Sequence, residues 1–517
     1  MNTIMKYFNE VGIVLLSGIL ISVASCSKNF DELNTRSDQI NVKSLNVSLL
    51  GQAFAQSQYY GWYTDFQQNQ NLYADLYAQY YGTNVTYFNS DQYNEQSNWT
   101  NSTWRGFYGT AAPQLHFVEQ FTKEHDMALE NAIAKVWKVQ LYGKRTDYWG
   151  PIIYSQFGNG EVQVSYDSQE FIYKDFFKTL DSAVAVLKQN ASKTVFSSSD
   201  LLYNGEVDKW LVYANSLRLR LALRVAYVEP NLAQQEAEKA ILDGVMLENS
   251  DNANLLTTDL SKNQMGVIVN FGEFRMSAAM QSVLVGYNDP RIAEYFNEAI
   301  NNGEYIGIRN GLPSVEKTAP KENYSEIDTK WFIEGKGGTN PPYKVMCAAE
   351  VYFLRAEGAL RGWNMGGTVN ELYNKGISTS ILEWTDTPAS QIEEYITSTN
   401  MPIAINDKWN TPAMTDIPVR YQTNGSFEKQ LEQIITQKWI ALFPDGWEAW
   451  TERRRTGYPV GYPIIESLNP DVPANAIMRR LKFVASEITT NALAVDDARK
   501  LLNGPDNNAT KLWWDAR

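Results

Sequence analysis

The sequence predicts a mainly α-helical protein in which neighbouring helices pack as pairs. Residues 171–187, 209–228 and 349–360 carry apolar side chains at every third or fourth position, which is typical of helices with one buried face. Pro230 and Gly362 stand after the second and third of these stretches. Few segments alternate apolar and polar residues as strands do, so we expect one helical domain over residues 45–517.

The N-terminus has the pattern of an exported lipoprotein. Residues 11–23 are apolar and uncharged and Lys6 precedes them, but the run is too short to span a bilayer. It ends in Val23-Ala24-Ser25-Cys26, which is similar to the lipobox that precedes a lipidated cysteine in bacteria. We expect residues 1–25 to be a signal peptide, Cys26 to carry the lipid and residues 26–44 to form a flexible leader.

The first helix pair is predicted from residues 132–143 and 171–187, with Asp167 or Ser168 as the N-cap of the second helix. The next helix covers residues 209–228, and we expect Pro230 to end it because proline has no backbone N–H.

A partner helix over residues 232–242 is expected to stop at Gly244. Residues 349–360 and a helix beginning at Val369 form the last predicted pair. These units resemble tetratricopeptide repeats, although the regular 34-residue period is absent. The sequence therefore predicts tetratricopeptide-like helix pairs as a scaffold with long loop-rich insertions forming a ligand-binding side.

Three insertions are expected to be loops, namely residues 56–110, 250–342 and 385–426. The first is rich in tyrosine, tryptophan, asparagine and glutamine; the other two contain glycine, proline or threonine. Long loops in a compact protein usually serve binding.

Composition excludes several classes of function. The net charge of -14 argues against nucleic acid as a partner, because phosphate binding depends on clustered lysine and arginine. The one basic cluster, Arg453 to Arg455, is interpreted as a helix end that complements the dipole and nearby carboxylates.

The two histidines, His116 and His125, have neither a cysteine nor a second histidine at metal-ligand spacing. The sequence therefore predicts no metal site, no cofactor and no serine–histidine centre. With Cys26 lipidated, Cys347 has no disulfide partner and is interpreted as a small buried hydrophobe.

Five groups of residues along the chain form recognisable motifs: the start at Cys26 with Phe30-Asp31-Glu32, Thr146-Asp147-Tyr148-Trp149-Gly150, Asp289-Pro290-Arg291, Ala349-Glu350-Val351 with Arg355-Ala356-Glu357, and Arg454-Arg455-Thr456-Gly457 with Arg479-Arg480-Leu481. Together they resemble the SusD/RagB family, the surface nutrient-binding lipoproteins of Bacteroidota. The departures from the family pattern are a methionine at position 478, where proline is usual, and a reduced asparagine run after Glu487.

The resemblance implies a non-catalytic protein, anchored by its lipid in the outer membrane and facing the cell exterior. It implies that the protein binds an oligosaccharide or related nutrient and delivers it to a SusC-like TonB-dependent transporter, on which it sits as a lid.

A glycan site needs exposed aromatic planes beside hydrogen-bonding groups. Tryptophans at helical spacing are expected in the core instead, namely Trp137, Trp210 and Trp439. The candidate ligand-binding residues are Trp99, Trp104, Tyr324, Trp331, Tyr87 and Phe88, with Asn101, Asn270 and Arg275 as polar partners.

Two alternatives remain open from the residues alone. Aspartate and glutamate are numerous enough for the carboxylate pair of a surface glycoside hydrolase, although no local spacing singles one out. A purely structural adaptor that only seats the transporter is the other alternative.

Overall fold

The computed structural model describes residues 47–62, 66–331 and 338–517. The chain forms two units, Met1–Gln52 and Ala53–Arg517. Residues 1–25, Cys26 and the leader to residue 44 lie outside the described residues, and the domain boundaries stay predictions.

The fold is mainly helical, which confirms the predicted class. The helices among the described residues are α1 Val47–Trp62, α2 Ser97–Gly106, α3 Ala112–Glu124, α4 Ala128–Trp149, α5 Gln169–Lys188, α6 Val207–Arg224, α7 Pro230–Asp243, α8 Met265–Phe271, α9 Ala278–Tyr287, α10 Ile292–Tyr295, α11 Ala348–Leu360, α12 Val369–Trp384, α13 Ala389–Thr397, α14 Phe427–Leu442, α15 Gly446–Thr456, α16 Ala485–Thr490 and α17 Ala492–Arg499, with π-helices at Gln67–Asp75 and Phe107–Ala111.

The predicted helix pairs are confirmed. Helix α4 packs on α5, α6 on α7, and α11 on α12, while α14 packs against α11 and α12. Small residues allow close approach: at Gly376 of α12 an added Cβ would lie 2.8 Å from the Phe353 ring of α11. Each pair therefore buries its apolar stripes against its partner helix.

Local signals at the helix ends are mostly confirmed. The Ser168 hydroxyl accepts a hydrogen bond from the Phe171 backbone N–H at 3.2 Å, and Gly244 follows α7 with a φ of +93°. The prediction for Pro230 is wrong. Helix α6 ends at Arg224 and Pro230 opens α7, where its missing N–H would have had no helical partner in any case.

The prediction of a loop over residues 56–110 is also wrong. This segment contains the end of α1, the π-helix Gln67–Asp75, strand β1 Tyr81–Thr83 and α2. Several of its polar side chains are buried, and Asn69 and Gln70 are each 4% exposed. Their partners lie far along the chain: Asn69 Oδ1 accepts from Arg145 and Gln70 Oε1 from Lys144.

The other two insertions contain short regular elements. Strand β1 pairs antiparallel with β3 Phe274–Met276, and β2 Ala253–Leu255 pairs antiparallel with β4 Tyr343–Met346. Helix α13 lies within residues 385–426.

The core tryptophans were predicted correctly, since Trp137 and Trp210 are 0% and Trp439 is 2% exposed. Cys347 is buried as expected, and burial raises the pKa of its thiol to about 12.

A cluster of opposite charges, here called the ionic core, lies among five of these helices. Its side chains are at most 4% exposed. Arg224 of α6 lies 2.6 Å from Asp147 and 2.5 Å from Glu448. Its members are Asp147 of α4, Arg220 and Arg224 of α6, Glu350 and Glu357 of α11, Lys438 of α14, and Glu448, Glu452 and Arg455 of α15.

The remaining pairs close the cluster. Arg220 Nη2 lies 2.5 Å from Glu350 Oε2, and Lys438 Nζ lies 3.2 Å from Glu452 Oε2. Arg455 reaches Glu357 at 2.5 Å and Glu452 at 2.6 Å. Burial opposes ionisation of Glu452, but Arg455 and Lys438 outweigh it and hold its pKa well below the usual range.

Replacing Arg455 by methionine should destabilise the fold, because Glu357 and Glu452 would lose a cation while staying buried. We expect the free energy of unfolding to fall by about 3–5 kcal/mol, measured by urea titration followed by tryptophan fluorescence. The control is Lys500→Met, which removes an exposed pair with Asp497 and should leave the midpoint unchanged. Equal midpoints for Arg455→Met and the parent protein would contradict a structural role for the ionic core.

Candidate ligand-binding site

A cavity of about 200 Å³ lies where α1, the first π-helix, β4, α12 and the start of α15 meet. We call it the tryptophan pocket. Amides and charged groups stand among the rings: Gln70, Asn254, Asn263, Lys344, Glu383 and Asp445. Its aromatic walls are Trp62, Phe66, Trp331, Tyr343 and Trp384, with Met265, Pro341, Pro342 and Pro444 completing the lining.

The β2–β4 ladder and one asparagine hold the wall that precedes α11. Asn254 pairs with Lys344 in the ladder. The Asn263 side chain donates to the Pro341 carbonyl at 2.9 Å and accepts from the Met265 N–H at 3.0 Å. Proline has no backbone N–H, so the segment around Pro341 has few hydrogen-bond donors of its own. The ladder and the Asn263 side chain therefore hold Pro341 and Tyr343 in place at the rim.

Lys344 orients the opposite wall. Its ammonium donates to Glu383 at 3.0 Å and to the Phe443 carbonyl at 3.1 Å, and it lies 4.9 Å from the centre of the Trp384 ring. The Trp384 ring also packs against Tyr295 at 5.1 Å and Trp331 at 6.4 Å. The indole is thus held between aromatic and cationic neighbours, with part of its surface left accessible.

Two buried groups with pKa values of about 7 lie behind Gln70, which lines the pocket. Lys144 donates to Gln70 Oε1 at 3.1 Å and lies 4.1 Å from the Trp62 ring, and Gln70 donates to Asp75 at 3.1 Å. Burial lowers the pKa of Lys144 to about 7 and raises that of Asp75 to about 7. Gln70 therefore connects a buried base and a buried acid below the ligand space.

Three predicted residues come together on a nearby surface, which we call the aromatic ledge: Tyr87, Phe88 and Trp99. The Phe88 ring lies 4.8 Å from Tyr87 and 5.9 Å from Trp99. Tyr87 is 64% exposed and its hydroxyl donates to Glu273 at 2.7 Å. Gln67 donates to the second oxygen of that carboxylate at 2.9 Å.

The pocket and the ledge are neighbours. Phe66 lines the pocket, and the adjacent Gln67 binds Glu273 below the ledge. Short helix α8 begins at Met265, in the pocket wall, and ends two residues before Glu273, which corresponds to about 10 Å of helix. The cavity and the aromatic ledge are therefore separated by about the length of this short helix.

The structure gives other predicted site residues structural partners. Trp104 is 3% exposed and stacks on Tyr166 at 5.7 Å, so we assign it to the core. Arg275 is 1% exposed and paired with Glu326 at 3.0 Å, so it is not available to a ligand. Asn101 Oδ1 accepts from the Ser486 N–H at 2.9 Å and holds the C-terminal segment.

Among the remaining predicted residues, Trp331 lines the pocket although it is only 3% exposed. Tyr324 is half-buried and Asn270 is exposed on α8, and neither contributes to the pocket lining. The sequence did not single out Trp62, Tyr343 or Trp384. One signal for Trp384 was available in the sequence. Trp384 is the last residue of an amphipathic helix and directly precedes an insertion, which is a position where a side chain can contact a ligand.

No helix within residues 47–62, 66–331 and 338–517 is both long enough and apolar enough to cross a membrane. In the same residues no three histidine, cysteine, aspartate or glutamate side chains are grouped to hold a metal ion.

A family model described as SusD-like, SusD and RagB outer membrane lipoproteins, matches residues 27–515. The chain belongs to the SusD-like family. This confirms the resemblance drawn from the motifs. The motif residues Asp147, Glu350, Glu357 and Arg455 are members of the ionic core, so this part of the family pattern specifies the scaffold.

Solved structures agree with this assignment. A chitin-binding SusD homologue from Flavobacterium johnsoniae is 34% identical, with a TM-score of 0.85 over 90% of this chain and 99% of that one. A SusD homologue from Bacteroides vulgatus is 31% identical, with a TM-score of 0.83 over 90% and 97% of the two chains. One from Bacteroides uniformis is 31% identical, with a TM-score of 0.82 over 91% and 100%. None of the curated proteins compared with the chain matches it.

Truncation of Trp104 and of Tyr87 should have different effects on the free energy of unfolding, although both residues belong to aromatic, polar stretches of sequence. Trp104→Ala empties a core position and should lower the free energy of unfolding by about 3–5 kcal/mol. Tyr87→Ala removes an exposed ring and should leave it within about 0.5 kcal/mol of the parent value. Urea unfolding of both variants tests this, and a mild effect of Trp104→Ala would return that residue to the candidate ligand contacts.

Proposed function

We propose that this protein is a non-catalytic cell-surface lipoprotein that binds an oligosaccharide and delivers it to a SusC-like TonB-dependent transporter. The observation that carries the proposal is the tryptophan pocket, where Trp62, Trp331 and Trp384 surround amide and charged groups. Sugar rings present C–H faces that pack on aromatic planes and hydroxyl rims that need such polar partners.

The proposed ligand is a neutral glycan containing N-acetylglucosamine. The homologue from Flavobacterium johnsoniae is a chitin-binding protein. In the pocket, Met265, Pro341 and Pro342 offer apolar surface for an acetyl methyl group. Asn254 offers an amide for its N–H and C=O groups. The net charge of -14 disfavours a strongly anionic polysaccharide.

The route of delivery follows from the family and the N-terminal pattern. SusD and RagB proteins are outer membrane lipoproteins, and lipidation at Cys26 would fix the binding domain to that membrane facing outward. Residues 26–44 would then be the tether and residues 1–25 the removed signal. Tethering raises the effective concentration of captured glycan at a transporter in the same membrane.

Glycoside hydrolysis would need two carboxylates flanking one sugar bond, one of them free to act as an acid. The two carboxylates of the pocket already have other roles. Glu383 is paired with Lys344 at 3.0 Å, and Asp445 caps α15 by accepting from the Glu448 N–H at 3.3 Å. These contacts favour binding over catalysis.

Ligand binding should depend on Trp384. We expect calorimetric titration of the Cys26→Ala protein with chitohexaose to show binding, and Trp384→Ala to weaken it at least tenfold, since loss of one stacked ring costs about 1.5–3 kcal/mol. The control Trp363→Ala, in the turn after α11 and outside the pocket lining, should bind as the parent does.

Cellohexaose, which lacks the acetamido groups, should bind more weakly than chitohexaose. New reducing ends during the titration would favour a hydrolase. Unimpaired chitohexaose binding by Trp384→Ala would contradict the assignment of the tryptophan pocket.

Cys26→Ala should release the protein from the membrane and impair glycan uptake while leaving the affinity of the isolated protein unchanged. A lipid contributes about 0.8 kcal/mol per buried methylene, so its loss removes the anchor without touching the binding domain. Membrane fractionation of the producing cells measures this. A variant that stays in the membrane fraction would show that Cys26 does not carry the anchor.

A further inference from the structure

A second cavity, of about 140 Å³, lies between α3, α4 and the turn that follows α4. It shares no lining residue with the tryptophan pocket. Tyr142 of α4 lines this cavity, while Lys144 of the same helix lies under the tryptophan pocket. Positions two residues apart are about 200° apart around a helix, so Tyr142 and Lys144 point to opposite sides of α4.

The second cavity is lined by groups that both donate and accept hydrogen bonds. His116, Glu119 and Gln120 come from α3, Lys138 and Tyr142 from α4. Lys138 lies 3.1 Å from Glu119 and 5.1 Å from the centre of the Tyr154 ring. Because the ammonium and the carboxylate neutralise each other, the cavity favours neither an anion nor a cation.

The Tyr142 side chain contributes a hydroxyl group to this cavity. Tyr142 is 3% exposed and belongs to the cavity lining. Its ring is fixed by Phe107 at 5.1 Å and Tyr154 at 5.1 Å. A phenol can both donate and accept a hydrogen bond, so this hydroxyl is available to a polar ligand in the cavity.

The mouth of the cavity has an aromatic edge and a close backbone approach. Phe157 packs edge-on against His116 at 5.6 Å and is partly exposed. Gly158 has a φ of +81°, and a Cβ there would lie 2.5 Å from His116 Nε2. Burial lowers the pKa of His116 below its ordinary value, which leaves a neutral imidazole that can accept as well as donate.

We propose that this cavity is a second carbohydrate subsite that holds a single neutral pyranose unit. Its hydroxyls would bind the Tyr142 phenol, Glu119 and Lys138, and one ring face would pack on Phe157. The volume equals about four to five water molecules at roughly 30 Å³ each, which suits one sugar ring at an open mouth and excludes an extended chain. The subsite is independent of glycan binding in the tryptophan pocket.

The test uses N-acetylglucosamine, glucose and galactose as separate probes on the full Cys26→Ala chain. Hydrogen–deuterium exchange should show protection of peptides covering residues 112–124 and 154–158 with at least one probe, and Trp384→Ala should not remove it. Tyr142→Phe, which deletes only the hydroxyl, should raise the probe concentration needed for half protection roughly five- to tenfold. The matched control Tyr305→Phe should leave it unchanged.

Absence of protection in these peptides with all three sugars would overturn the subsite. The same holds if Tyr142→Phe behaves as the parent protein, or if glucuronate protects the peptides and the neutral sugars do not. Failure of the proposed function would appear separately, as loss of chitohexaose binding at the tryptophan pocket. Glu119→Gln provides a second variant, expected to weaken protection without removing the buried tyrosine.

Discussion

Burying a guanidinium or carboxylate group costs several kcal/mol unless an opposite charge meets it at hydrogen-bonding distance. Five helices of this protein, α4, α6, α11, α14 and α15, each contribute a charge to one buried cluster. A shift of one helix would leave a charge unpaired. Apolar packing alone tolerates such sliding better, because dispersion and the hydrophobic effect have no fixed direction.

This constraint also acts on the tryptophan pocket, because the chain runs directly from the ionic core to the pocket walls. Helix α15 carries Glu448, Glu452 and Arg455 into the ionic core, and its N-cap residue Asp445 lines the tryptophan pocket. Strand β4 brings Tyr343 and Lys344 to the pocket and leads directly into α11. Pocket walls that continue from such fixed helices are preorganised, which lowers the entropic cost of binding any flexible ligand.

Buried amide side chains fix the position of residues 56–110, the segment predicted as a loop, in a similar way. Residues 56–110 contain many asparagine and glutamine side chains, which are typical of loops when the local sequence is considered alone. Here Asn69 and Gln70 sit in a π-helix and are bound by Arg145 and Lys144 of α4. Their partners are more than seventy positions away, as the separations of 76 and 74 residues show, so no local pattern could reveal them.

The sequence by itself determined the helix pairs, because helical periodicity is a local property that burial of one face enforces. It also determined the family and four residues of the two aromatic clusters. Tyr87, Phe88 and Trp99 stand in a polar, aromatic stretch, and Trp331 precedes the motif-bearing helix. Only the tertiary structure decided which aromatics line a cavity and which lie in the core. Trp99 and Trp104 have nearly the same neighbours in sequence, yet Trp104 stacks in the core at 3% exposure. Trp62, Tyr343 and Trp384 meet in one cavity although they come from three distant segments, and only the packing of those segments brings them together.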